Sequence, residues 1–126
     1  KWFEFPAHTM NKVVVVEYDL ARRLGMNAAL SNSGYDTLPF EDKNDAFEWV
    51  KGNRDLDLII LGTMPIKDRY AFLDSLQELN YNPKILIRDG SLFRKESTTY
   101  QGSVEYISLE ESIKKDNLIK QIRSMI

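Results

Sequence analysis

Two short runs of this chain, "VVVV" (Val13–Val16) and "LIIL" (Leu58–Leu61), are purely apolar, with no polar residue alternating between them. A strand with one face in water alternates apolar and polar side chains, so runs like these have to be covered on both faces. "PKILIR" (Pro83–Arg88) reads as a third buried strand, and "VEYIS" (Val104–Ser108) as a fourth central one. The segments between them supply the cover. In "DLARRLGMNAALSNSG", Leu20, Leu24 and Ala28 recur at four-residue spacing, which predicts a helix from near Asp19 that Gly34 stops in a left-handed conformation. "YDTLPFE" is a short strand, and Pro39 marks it as an edge. Ala46, Phe47 and Val50 form a stripe with Trp49 beside it, on a helix ending near Gly52. Asp68 to Leu79 is a helix carrying Phe72, Leu73, Leu76 and Leu79, and the last helix carries Leu118, Ile119, Ile122 and Ile126.

Strand and helix thus alternate five times within residues 12–126, with no internal repeat or linker. This pattern specifies α/β architecture: one doubly wound, mostly parallel five-stranded sheet with helices on both faces. One segment departs from it. "DGSLFRKESTTYQG" (Asp89–Gly102) stands where a fourth helix belongs, yet is rich in Gly, Ser and Thr, so that helix is expected to be short, irregular or replaced by a structured loop.

Composition narrows the function. A formal charge of −2 and a pI near 5.4 argue against a broad nucleic-acid footprint, which needs a basic face. The absence of cysteine removes disulfides and thiolate metal sites. No apolar run approaches a membrane span, and the start "KWFEFPAHTMN" lacks the basic head and apolar stretch of a signal peptide. The expected location is cytoplasmic, or facing the cytoplasm from a membrane-anchored parent, with no membrane contact by the domain itself. His8 is the only histidine, so neither a histidine-based triad nor a histidine metal cluster can form, and no glycine-rich phosphate loop opens a helix.

The order and spacing of several short motifs over Lys12–Ile126 resemble the receiver domain of two-component response regulators. The family's acidic pair after the first strand falls on Glu17 and Tyr18, and its Gly-Tyr on Gly34 and Tyr35. Its acidic run before the second helix falls on Glu41-Asp42-Lys43 with Ala46-Phe47, and its Met-Pro on Met64-Pro65 with Asp68-Arg69 following. The close of its fifth strand falls on Tyr106-Ile107-Ser108-Leu109-Glu110. The resemblance implies the flavodoxin-like strand order 2-1-3-4-5, with functional groups at the carboxyl ends of the strands.

It also implies a phosphorylation site, and there the sequence departs from the family. The nucleophilic carboxylate falls on Gly62 counted forward from Asp57, or on Leu61 counted back from Met64-Pro65. Neither has a side-chain oxygen. The acidic pair is half kept, as Glu17 with Tyr18; the lysine is replaced by Leu109, and the hydroxyl position is Arg88. The expectation is a degenerate, phosphorylation-independent pseudo-receiver that holds no cofactor or metal, catalyses nothing itself, and works as a protein-interaction module. Arg88 is a candidate to occupy the phosphate's place by pairing with Glu17 or Asp89. Two alternatives stay open: phosphorylation at a displaced acceptor, Thr63 or Asp89, and a small-ligand sensor with an apolar mouth around Leu61 and Leu109.

In receivers the face of the fourth helix, fifth strand and fifth helix carries partner contacts; here it would comprise Leu92, Phe93, Tyr100, Tyr106, Lys114 and Lys115. The implied partners are a histidine kinase, a response regulator or a second copy of the chain. Trp49 and Tyr70 are read as core or rim packing. Residues 1–11 form an extension whose "KWFEFPA" resembles the closing strand of a histidine-kinase ATP-binding domain, implying a hybrid sensor kinase as parent.

Overall fold

The computed structural model describes residues 11–89 and 98–126, Asp89 by its backbone alone. The expectations for residues 1–10, Leu92 and Phe93 therefore lie outside the described residues, as does most of the predicted irregular helix. The described end of that segment, Thr98–Gly102, carries no helix.

The elements run β1 (Lys12–Val16), α1 (Leu20–Asn32), β2 (Asp36–Phe40), α2 (Lys43–Gly52), β3 (Leu58–Leu61), α3 (Ile66–Glu78), β4 (Ile85–Asp89), β5 (Val104–Ser108), α4 (Leu109–Ser112) and α5 (Lys115–Met125). The five strands form one sheet in the order β2-β1-β3-β4-β5, and every neighbouring pair is parallel. This is the expected fold class and order. Pro39 lies on the edge strand β2, as its missing N–H requires. "VEYIS" is corrected: β5 is the opposite edge, and Ile107 is its one buried residue.

The period-two geometry of the strands divides the core into two layers. Val13, Val15, Leu58, Ile60 and Leu86 face α1 and α5, where Met26, Leu30, Ile119 and Ile122 meet them. Val14, Val16, Ile59, Leu61, Ile85 and Ile87 face α2 and α3, where Val50, Phe72, Leu73 and Leu76 cover them. Half-buried Trp49 extends this second layer through Phe40, at 6.2 Å between ring centroids. Gly34 ends the α1 turn at φ 93°, the left-handed conformation expected of it.

The α1 stripe is corrected as well. Leu20 and Leu24 are 60% and 59% exposed, and Met26 and Leu30 are the buried pair. Stripes offset by two residues lie on roughly opposite helix faces, since each residue turns about 100°. Both satisfied four-residue spacing, and only the packing of α1 across β1 and against α5 selected one. In α5, Met125 is buried with Leu118, Ile119 and Ile122, while Ile126 is only half-buried.

The chain before β5 is tied to α3 through one carboxylate. Asp74 Oδ1 accepts from Thr98 Oγ1 at 2.6 Å, Thr99 N at 2.9 Å and Thr99 Oγ1 at 3.0 Å. Tyr100 then turns into the core and its hydroxyl donates to the Pro83 carbonyl. No helix among the described residues is long and apolar enough to cross a membrane.

Chemical denaturation checks the face of α1: Leu30→Ala is expected to cost about 2–5 kcal/mol, and Leu24→Gln to stay within about 0.5 kcal/mol of the parent. The Thr98 hydroxyl, followed by the Thr99 N–H, holds the Asp74 carboxyl below its ordinary value. A depressed folded-state pKa contributes stability that is full above the unfolded-state value and is lost as pH falls through the folded one. Asp74→Asn is therefore expected to lower stability at neutral pH and to flatten the acid limb of a stability–pH profile.

Candidate functional site

The carboxyl ends of β1, β3 and β4 meet at Glu17, which follows β1 and is fully buried. Its Oε2 accepts the Asp19 N–H at 2.9 Å and its Oε1 the Thr63 N–H at 3.0 Å. Arg88 Nη1, from β4, stands 3.7 Å from the same Oε1. The Glu17 carbonyl accepts from Arg23 Nη1 at 2.9 Å. A buried carboxylate needs charge and hydrogen-bond compensation of this kind.

Gly62 lies directly against this carboxylate. Its N–H donates to the Val16 carbonyl at 2.8 Å, holding the loop after β3 beside β1. A Cβ built on Gly62 would fall inside the contact shell of Glu17 Oε1 and 2.8 Å from its Cδ. With no left-handed φ to explain the glycine, close approach of the Glu17 side chain does. Leu61, the other candidate position, has no exposure and packs into the α2–α3 layer. Of the two residues expected to form an apolar mouth, Leu61 is fully buried in the core and Leu109 opens α4.

Tyr18, where the resemblance places the second residue of an acidic pair, serves as a clasp. Its hydroxyl donates to Asp68 Oδ2 on α3 at 3.0 Å and accepts the Lys43 N–H at the start of α2 at 3.4 Å. Burial raises its phenol above the ordinary value; the Lys43 N–H opposes this shift and the Asp68 carboxylate adds to it. The group is thus a neutral donor at neutral pH.

Arg88 is 5% exposed, and its Nε donates to Ser112 Oγ on α4. Ser112 in turn donates to the Leu109 carbonyl at 2.9 Å. Burial lowers the guanidinium pKa, and Glu17 opposes that shift. Arg22 Nη1 donates to Thr63 Oγ1 at 2.9 Å, so the candidate displaced acceptor is held by a cation. Asp19 caps α1 by accepting the Arg22 N–H at 2.9 Å.

The structure therefore gathers Glu17, Gly62 and Arg88 at one point, with Tyr18 alongside. Arg22, Arg23 and Ser112 escaped the reading of the sequence. A signal existed for the arginines: two adjacent cations near the start of a helix oppose its dipole, which implies partners outside the helix. Ser112 had none.

Of the predicted interaction face, the described residues Tyr100, Tyr106, Lys114 and Lys115 differ in burial. Tyr100 is 8% exposed and belongs to the core, a correction with a direct cause: its ring fills space beside Gly102, where a Cβ would collide with it. Tyr106 is half-buried against the same α2–α3 layer, whereas Lys114 and Lys115 are exposed at the start of α5. One carboxylate group among the described residues has metal-like proximity, Glu41, Asp42 and Asp45, and there Asp42 is committed to capping α2.

Removing one partner of a buried ion pair leaves the other uncompensated, so Arg88→Met is expected to cost about 3–5 kcal/mol, read by chemical denaturation. Adding Glu17→Gln to that variant is expected to recover part of the loss.

No protein-family model matches the sequence, and no curated protein matches it. Solved structures do. The chemotaxis protein CheY4 of Vibrio cholerae superposes with a TM-score of 0.80 at 18% identity, over 94% of this chain and 100% of the other. A CheY-like receiver domain from Methanospirillum hungatei gives 0.74 at 16%, over 88% and 90%. One from Methylobacillus flagellatus gives 0.70 at 16%, over 94% and 100%. At such identities the likeness establishes architecture, and the architecture of this chain is the CheY-like fold of response-regulator receivers.

Proposed function

We propose that this chain is a phosphorylation-independent pseudo-receiver, a protein-interaction module of two-component signalling that docks constitutively to a histidine kinase, a response regulator or a second copy of itself. The observation that carries this reading is the contact between Gly62 and Glu17. Where a receiver's nucleophile falls by resemblance there is no side chain, and the space one would enter is filled by a carboxylate.

The surrounding groups agree with this reading. Magnesium takes oxygen ligands in near-octahedral geometry and is held in phosphoryl-transfer sites by carboxylates and phosphate oxygens. Here both Glu17 oxygens accept backbone N–H groups, and a guanidinium stands 3.7 Å from one of them. Tyr18 replaces the second acid with a phenol engaged elsewhere. These residues do not fit a magnesium ion. Arg88, tied to Glu17 and Ser112, supplies internally the positive-to-negative contact that phosphorylation would otherwise create, which favours a single resting conformation. The reading of residues 1–11 as the close of a kinase ATP-binding domain belongs to the same proposal and is supported by the likeness in "KWFEFPA".

Intact-protein mass spectrometry after incubation with a small-molecule phosphodonor and Mg²⁺ tests the proposal. No added phosphoryl mass is expected, beside a competent receiver treated in parallel, and Gly62→Asp is expected not to gain one. A stoichiometric, Mg²⁺-dependent adduct on the parent chain overturns it, and its position, at Thr63 or elsewhere, would identify the acceptor.

A further inference from the structure

The groove between α1 and the α4–α5 turn has a cavity volume of about 310 Å³. That is at the small end of the range for sites that hold small molecules. Its α1 wall is built from Ala21, Gly25 and Ala29, its opposite wall includes Leu118 and Ile113, and Arg88 and Ser112 also line it. The lining contains three cationic side chains, Arg22, Arg88 and Lys115, and no carboxylate.

Two features mark this groove as more than a gap in the packing. The first is Gly25. Glycine in a helix interior is unfavourable relative to alanine, yet no atom lies within 4 Å of a Cβ placed there, and the backbone is not left-handed. Among the described residues no contact accounts for it, and its effect is to keep the groove wide at mid-helix. The second is Arg88, only 5% exposed, whose Nε and Nη1 face Ser112 and Glu17 while its side chain also lines the groove, beside the further cations Arg22 and Lys115. Guanidinium groups in desolvated settings pair strongly and directionally with carboxylates.

We propose that this groove binds a small organic acid, its carboxylate at Arg88, Arg22 and Lys115 and its apolar body along the Ala21–Gly25–Ala29 wall. The site is separate from the position of the receiver nucleophile. Occupancy would bridge α1 to α4 and α5, and so couple the ligand to the Glu17–Arg88 pair without any phosphoryl transfer.

NMR of the isotope-labelled 126-residue chain, titrated with sodium benzoate and separately with sodium hexanoate, tests this. Saturable amide shifts are expected at Ala21, Gly25, Ala29 and Ile113 with at least one of the two acids. Losing the charge-assisted contact should weaken binding about tenfold for the neutral isostere, benzyl alcohol. Inorganic phosphate, which lacks the apolar body, is expected to bind more weakly than the organic acid. Gly25→Leu, which fills the groove while improving helix propensity, is expected to abolish the shifts, and Lys115→Gln to weaken them with the amide dispersion of both variants retained. Equal affinity for benzyl alcohol would make the groove merely apolar, and equal affinity for phosphate would make it a bare anion site; either overturns the proposal. So does the absence of saturable shifts with both acids, or shifts that survive Gly25→Leu. None of these outcomes bears on the phosphodonor experiment.

Discussion

A carboxylate without any exposure, at the point where three strands end, dictates the arrangement of everything around it. Glu17 is stable there only because two backbone N–H groups and a guanidinium face it. The Thr63 donor requires the loop after β3 to close over β1. That closure brings residue 62 so near the carboxylate that only glycine fits without displacement. Arg88 has to be held as firmly as its partner, and Ser112 on α4 does so through the Nε. One buried charge thus links β1, the β3–α3 loop, β4 and α4, elements far apart in the chain.

The outer parts of the same edge follow from polar groups spanning between elements. Tyr18 joins the starts of α2 and α3 through Lys43 and Asp68, and Arg22 joins α1 to Thr63. In a receiver, by resemblance, this edge holds an open acidic cluster that acquires its counter-charge from outside. Here the counter-charge is covalently part of the chain. An edge already neutralised internally has little electrostatic reason to take up a metal ion, and that is why the proposed role lies in surfaces.

Much of the fold was legible from local pattern. Buried strands without alternation require cover on both faces, and the helices between them have the spacing to give it, so a parallel α/β sheet follows from Val13–Val16, Leu58–Leu61 and Ile85–Ile87 alone. Pro39 marked its own strand as an edge. The failures have a common cause. Leu20, Leu24 and Ala28 share a helical face as well as Met26 and Leu30 do, and periodicity cannot say which face meets the sheet. Tyr100 resembled a surface aromatic because the backbone path that turns it inward depends on Asp74 and Pro83, remote in sequence.

By itself the sequence determined the class of fold, the order of elements and the absence of an oxygen-bearing side chain at Leu61 and Gly62, since each is a matter of residue type and local period. Only the tertiary structure decided what surrounds those positions. The Glu17–Arg88 pair joins residues 71 positions apart, and the steric conflict at Gly62 arises from the side chain that follows another strand. The groove beside Gly25 is bounded by helices from the two ends of the described chain. Such features are set by distances through space, which residue identity constrains only after the sheet and its covering helices have assembled.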